Sequence, residues 1–441
     1  MRLTRLNAIR AKQVLSLFCC VLLCACTQKD YFRTTVANTP CELDQIKSCS
    51  TANLVSSKED DYTLGFVEID DQGQFYNGGQ VESLITLLKN RQQPQYVTIY
   101  VHGWHHNADD NDFNVRRFKE ALKETKRRNP DYKVIGIYVG WRGETIAVPW
   151  LRALTFWDRK LVSEEVGRNS LLDFLLRVET IVKGEQRNKL LTVGHSLGAS
   201  VIFNSLHQVL LARLAQPENA NLRTGFGDLV VLVNPAFEAI RFAAIREAAQ
   251  RYNRAYNFSE KQKPLLIIAT SESDSTTKTA FSWVRTLTAL FEQHRTITPD
   301  YPYKADDLLS FSEWDLDTTA IGHFNPFITH RLEAHAPIAA DNTCASGSGW
   351  LNNAVARQKK IQYANGERPT GEGWDTTDKQ ERPPIFKNAA YMTLQHLKNS
   401  ATYDPYWVIQ TNKAMIPNHG FINQKQLWCF IDLTMKDSKY N

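Results

Sequence analysis

Residues Lys189 to Ser200 constrain this chain more than any other stretch. They read Lys-Leu-Leu-Thr-Val-Gly-His-Ser-Leu-Gly-Ala-Ser, a Gly-x-Ser-x-Gly pentad (Gly194, Ser196, Gly198) between an apolar run and a helical pattern. Upstream, Leu190, Leu191 and Val193 carry the signal of a short buried strand. Downstream, Val201, Ile202, Leu206, Val209, Leu210 and Leu214 recur at helical spacing. The layout predicts a sharp strand-to-helix turn with a serine at its apex, a nucleophile elbow. An ordinary serine hydroxyl is a poor nucleophile at neutral pH, so chemistry there needs a base and N–H donors for the oxyanion that forms. The glycines suit a crowded turn, where a side chain at 194 or 198 presses on the neighbouring strand or helix. The pentad alone is a common string; its strand and helix context carries the reading, against the alternative of a glycine-lined turn with a solvated serine.

The rest of the chain alternates strand and helix patterns, which predicts an α/β fold with a largely parallel sheet covered on both faces. Strands are expected at Tyr96 to His102, Lys133 to Val139, Leu190 to Val193, Asp228 to Val233, Pro264 to Ala269 and Tyr406 to Gln410. Helices are expected at Asp112 to Arg128, Leu171 to Val182, after the elbow, and at Glu238 to Gln250, Thr279 to Phe291 and Gln424 to Met435. The helix ending in Lys126, Arg127 and Arg128 before Pro130 places positive charge where the dipole favours it. Two stretches break the rhythm. Residues 143–169, with Val148, Pro149, Trp150, Leu151, Phe156 and Trp157, form an aromatic-rich insert that suits either a cap over a pocket or core packing. Residues 295–400 form a long insertion before the last strand, loop-like from Ser346 to Pro384.

At the start, Arg2, Arg5, Arg10 and Lys12 precede an apolar stretch, Val14 to Ala25, that is too short to span a bilayer and reads as a bacterial export signal. Leu23-Cys24-Ala25-Cys26 resembles a lipobox. The resemblance implies a signal peptide over 1–25, a mature chain starting at an acylated Cys26, and, since Thr27 is not aspartate, an outer-membrane anchor. Residues 26–60 are then expected to be a tether, and 61–441 a single catalytic domain. The whole chain has 52 Lys+Arg against 47 Asp+Glu, and without residues 1–25 the balance is 48 to 47. A near-neutral mature chain excludes a nucleic-acid partner bound through charge and leaves membrane attachment to acyl chains. Of eight cysteines, four remain after the signal and Cys26. An oxidising compartment permits bridges, expected between Cys41 and Cys49 and, as an alternative to a buried free Cys429, between Cys344 and Cys429.

Gly194-His195-Ser196-Leu197-Gly198, with Val101-His102-Gly103-Trp104 after an early strand, resembles the α/β-hydrolase superfamily and its lipase- and esterase-like bacterial members, over roughly residues 64–294 and 404–436. The resemblance implies a triad in the chain order serine, acid, histidine. The strand Leu265 to Thr270 runs into Ser271-Glu272-Ser273-Asp274, which makes Asp274 the expected acid and Glu272 its fallback. The last strand leads through Met415-Ile416-Pro417 to Asn418-His419-Gly420, which makes His419 the expected base. His323 and His330 are rivals inside the insertion, expected to line or close the pocket. Oxyanion donors are expected from the backbone N–H groups of Leu197 and Trp104, with His102 shaping the loop.

His102, His105, His106, Asp109, Asp110 and Asp112 cluster in sequence, yet their spacing matches no compact zinc pattern, and no phosphate or dinucleotide loop occurs in a strand-to-helix setting. No metal or cofactor is therefore expected. The expected function is a lipid-anchored serine hydrolase cleaving carboxylic esters, lipid esters among them, through an acyl-enzyme. The alternatives are an acyltransferase, a peptidase or amidase using the same residues, or a surface-anchored binding module without chemistry. Composition and motifs leave the acyl chain, the alcohol and the oligomeric state open.

Overall fold

A strand whose two faces are both buried has no reason to alternate polar and apolar residues, and the apolar runs in this chain pair side by side in parallel. The computed structural model describes residues 31–43, 47–90, 92–143, 152–215, 222–297, 311–334, 386–388, 392–397, 400–401, 403–420, 422 and 424–436. Among the described residues, twelve strands form one sheet. In spatial order they are β1 (Cys41–Glu42), β2 (Leu54–Ser57), β3 (Tyr62–Ile69), β5 (Lys133–Trp141), β4 (Gln95–Val101), β6 (Lys189–His195), β7 (Leu229–Val233), β8 (Leu266–Ser271), β14 (Tyr406–Thr411), β11 (His330–Ala334), β13 (Met392–His396) and β12 (Phe386–Asn388). From β3 to β11 every pairing is parallel. The strands β9 (Thr296–Ile297) and β10 (Phe311–Ser312) form a separate antiparallel pair.

Helices cover both faces. On one lie α1 (Gly78–Leu88), α4 (Ser170–Lys183), α5 (Leu197–Leu214) and α6 (Ala239–Tyr256), whose Leu84, Phe174, Ile202 and Phe242 share a core with Val97, Ile99 and Val101 of β4. On the other lie α2 (Phe113–Arg128) and α9 (Lys425–Lys436), whose Phe118, Leu122, Leu427 and Phe430 pack with Tyr96 and Tyr100 of the same strand. The alternation along β4 is the pleat read directly. The helix α2 begins one residue later than its pattern suggests because Asp112 is the N-cap, accepting the N–H of Asn114 at 2.7 Å. The short α7 (Phe281–Ala289) and α8 (Glu313–Thr318) complete the rim beside α3 (Arg152–Arg168).

The structure adds β3 and α1, which the sequence pattern did not mark, and departs from the sequence reading in three further places. Residues 31–57, expected to belong to a tether, join the sheet through β1 and β2. They are held by Arg33, whose guanidinium is fully buried, donates to Ser50 O (2.8 Å), Ala108 O (2.8 Å) and Asp110 Oδ1 (3.2 Å), and lies 3.7 Å from the centre of the Phe66 ring. A segment of polar composition is thus fixed by one cation whose donors all find acceptors. Cys41 and Cys49 form a disulfide there. Second, the insertion over 295–400 supplies β11, β13 and β12, so Tyr406–Thr411 is not an edge strand. Third, the aromatic insert contains the helix α3. Gly167 lets α3 approach α5 so closely that Ser205 Oγ donates to Gly167 O at 2.7 Å, while a Cβ at 167 would meet Asn204 Cβ at 2.8 Å. Residues 1–30, including the expected signal and Cys26, and 144–151, Cys344 and 346–384 lie outside the described residues.

At the far end of the sheet His330 and His396 face each other across β11 and β13, ring centres 4.8 Å apart, both buried, with Trp407 against His330. Burial holds His396 down to about 4 and His330 well below its ordinary value. Burial also lowers His102 and His323 to about 4 and His195 to about 3. A histidine depressed in the folded state contributes full stability above its unfolded value near 6.5, and that contribution falls as pH drops towards the folded value. At pH 5 His102, His195, His323 and His396 each cost about 2 kcal/mol relative to pH 7, and His330 acts in the same direction. Asp404 and Glu68 oppose this, since burial raises the first carboxyl to about 7 and the second above its ordinary value, but they are two carboxyls against these five imidazoles. Thermal unfolding should therefore show a steady decline in Tm below pH 6.5; a Tm unchanged between pH 7 and pH 5 contradicts this account.

Candidate active site

Ser196 joins β6 to α5 with φ at 54°, a left-handed conformation that a non-glycine residue adopts only where its surroundings enforce it. Two contacts enforce it. The Ser196 N–H donates to Val233 O at the end of β7 (3.0 Å), and its carbonyl accepts from Ala236 N (3.2 Å). The glycines are steric requirements. A Cβ at Gly194 would lie 2.8 Å from Ala199 Cα, and one at Gly198 would run into the carbonyl oxygens of Val101 and His102.

His419 reaches this serine from a loop after β14. Its Nε2 is 2.8 Å from Ser196 Oγ, and its Nδ1 is 2.8 Å from Asp274 Oδ2. Asp274 follows β8 and is fully buried. Its Oδ1 accepts the backbone N–H groups of Thr276 (2.9 Å) and Thr277 (3.3 Å), and its Oδ2 accepts the Thr277 hydroxyl (2.5 Å) as well as His419. Burial pushes the carboxyl pKa up, but the bonds from His419 and Thr277 outweigh it and leave the pKa lowered. The carboxylate therefore orients the imidazole as an Nδ1–H donor, which leaves Nε2 as acceptor for the serine proton. Glu272, the fallback acid, is exposed.

The histidine loop is held by residues that the sequence reading did not single out. His195 Nε2 donates to His419 O (2.8 Å), Asn234 Nδ2 donates to Asn418 O (3.1 Å) and His419 O (2.7 Å), and Ser271 Oγ donates to Ile416 O (2.6 Å). His195 is neutral because burial, followed by the proximity of His419, lowers it to about 3. These three stand at the C-terminal ends of three adjacent strands, β6, β7 and β8. A signal for one was present: Asn234-Pro235 ends an apolar strand, and Asn234 takes φ of 45°, as asparagine tolerates.

The loop after β4 lies against the serine, since a Cβ at Gly103 would sit 2.9 Å from Ser196 Cβ. His102 staples this loop. Its Nδ1 donates to Gly103 O (2.9 Å), its Nε2 accepts the Trp141 N–H (3.1 Å), and the Trp141 indole donates to His102 O (2.8 Å). Burial keeps the ring neutral, at about 4, as this donor and acceptor pattern requires. Trp104 follows, its ring stacked on His105 and meeting Phe156 of α3 edge-on at 5.2 Å. Leu197 is the first residue of α5, where backbone N–H groups have no intrahelical acceptor.

The other singled-out groups have other partners. Asp110 pairs with Lys119 (2.7 Å) and Arg33, while Asp112 caps α2 and accepts from His106 Nδ1 (3.1 Å). His330 is buried against His396, between β11 and β13. His323 sits on the turn Ile321–His323 and bonds Thr277 behind Asp274. Among the described residues, Glu292, His294 and Asp317 are close enough to share a cation, and the Arg285 guanidinium occupies that role at 2.7 Å from Glu292 and from Asp317.

The chain is thus an α/β protein whose parallel sheet gathers a serine, a histidine and an aspartate at the C-terminal ends of its strands. No protein-family model matches it, and no curated protein does. Among solved structures it is similar to the phospholipase PlaB from Legionella pneumophila, at 11% identity and TM-score 0.25, covering 55% of this chain and 47% of that one. It is similar also to a YdeN-like hydrolase from Pectobacterium atrosepticum, at 16% identity and TM-score 0.16, covering 44% of this chain and 71% of that one. A third is Est1E from Butyrivibrio proteoclasticus, at 14% identity and TM-score 0.19, covering 44% and 76%. The chain therefore spans about half the length of PlaB. Likenesses this slight assign no activity.

Replacing Gly198 by alanine forces its methyl into two carbonyl oxygens, so the urea midpoint should fall by the equivalent of about 1–3 kcal/mol. A Gly198→Ala protein as stable as the parent would contradict the packing described.

Proposed function

We infer that this protein is a serine hydrolase that cleaves carboxylic esters through an acyl-enzyme. The observation that carries the reading is the unbroken hydrogen-bonded line from Ser196 Oγ through His419 to Asp274, each link 2.8 Å. In this reading the Ser196 oxygen attacks the ester carbonyl while its proton passes to His419 Nε2. Asp274, held ionised, stabilises the imidazolium without taking the proton. The carbonyl oxygen becomes an oxyanion beside Gly103 and the start of α5, where the N–H groups of Trp104 and Leu197 are the proposed donors. Collapse expels the alcohol, which receives the proton from His419. Water then repeats the sequence in reverse order of roles, releases the acid and restores Ser196.

The proposed substrates are lipid esters, supported by the lipobox resemblance at Cys26, which would hold the enzyme on an outer membrane through acyl chains. No cofactor enters this mechanism. Water and an acceptor alcohol use the same covalent step, so acyl transfer is the variant to measure alongside hydrolysis.

A fluorophosphonate probe should label the wild type and fail to label Ser196→Ala. His419→Ala should abolish turnover of an activated ester, and Asp274→Asn should lower kcat by about 10³–10⁴. Labelling that persists in Ser196→Ala, or near-normal turnover in His419→Ala, contradicts the reading. A wild type that neither labels nor turns over would make this a binding module. Esters of graded chain length identify the acyl group. Separately, Cys26→Ser should move the protein from the membrane to the soluble fraction, and retention of the variant at the membrane removes the acyl-anchor proposal.

A further inference from the structure

Thr277 and His323 extend the hydrogen-bonded line behind Asp274. Thr277 Oγ1 lies 2.5 Å from Asp274 Oδ2 and 2.9 Å from His323 Nε2, and Thr277 is buried. A hydroxyl has one proton to give, and an ionised carboxylate can only accept. Thr277 therefore donates to Asp274, and its oxygen must accept from His323. That assigns His323 the Nε2–H tautomer. The direction of every proton on the line follows: His323 gives to Thr277, Thr277 gives to Asp274, and His419 gives to the same Oδ2.

We propose that Thr277 and His323 are positioning residues that set the basicity of the Asp274–His419 pair by supplying a polarised second donor to the oxygen that His419 uses. The proposal rests on the ester-cleaving reading above. A donor that shares Oδ2 draws charge from it, and the imidazolium formed during acylation is correspondingly less stabilised. His323 strengthens the donor, because a hydroxyl that accepts a hydrogen bond becomes a better one itself. The titratable groups acting on His323 are Asp274, Lys278 and His419, and those around Asp274 are His419, His195 and His323. Burial lowers His323 to about 4, so the ring stays uncharged through the neutral range.

The placement explains a residue that the insertion over 295–400 would otherwise leave idle. The turn carrying His323 is pinned from both sides. Its Ile321 N–H donates to Phe237 O (3.1 Å), and the ring of His323 meets the segment that follows Asp274. The insertion thereby reaches the acid through Thr277.

The test is the pH profile of kcat/KM on an activated ester, with thermal unfolding as the folding control. Thr277→Val keeps the shape and removes the donor. The acid limb should move up by about half to one pH unit, a three- to tenfold loss at pH 6. His323→Leu should move it in the same direction by less. Thr277→Ser and His323→Gln, which restore a donor, should return the limb to the wild-type position. Should Thr277→Val not fold, the two His323 variants carry the same comparison. Profiles of folded Thr277→Val and His323→Leu that superimpose on a labelled, active wild type overturn this inference alone. A wild type that fluorophosphonate does not label overturns the ester-cleaving reading and this inference with it.

Discussion

Four hydrogen bonds from three side chains to the backbone carbonyls of residues 416–419 hold the site together. Ser196 and His419 are 223 positions apart, and nothing local holds one near the other. His195, Asn234 and Ser271 stand at the ends of adjacent parallel strands, and each extends a side-chain donor to the same stretch of loop. A parallel sheet makes this possible, because the C-terminal ends of its strands form one edge from which donors point the same way. The loop is thus positioned by the sheet itself, and His419 inherits the register of three strands. The tautomer of His195 matters here: only with the proton on Nε2 does it donate to the carbonyl of His419.

The elbow was legible in sequence because its constraints are steric and local. Gly194 and Gly198 are required by contacts with atoms a few residues away or on the next strand, and the serine between them has one geometry open to it. The central strands were legible too, being apolar on both faces. Asp274 and His419 could be placed only by counting strands, and the structure sets both beside Ser196 because β8 and β14 are neighbours in the sheet. Their chemistry remains the proposal made above.

What composition hid was polar groups buried in compensated form. Strand β3 contains Thr63, Gly65 and Glu68, which break an apolar run, yet all of its residues are buried and Glu68 accepts the N–H groups of Phe32 and Arg33. Helix α3 carries Lys160 and Glu164, which look like a solvated face. Both are buried, paired at 2.7 Å with each other, and Lys160 is also 2.7 Å from Glu238. The strands β11 and β13 alternate in burial like half-covered edges and lie inside a long insertion, where no pattern marks a return to the sheet. In each case the missing information was the partner, which lies far away in the chain.

Arg33 carries a consequence for the order of events during folding. Its side-chain acceptors are at residues 50, 108 and 110, and its main chain is held by Glu68. A chain that emerges N-terminus first exposes this guanidinium long before those acceptors exist. The leading segment must wait, solvated, until the first three long strands and the loop after β4 have come together. A segment that precedes its acceptors in the chain is therefore locked in by contacts made later, and the buried cation acts as a clasp over structure that lies downstream of it.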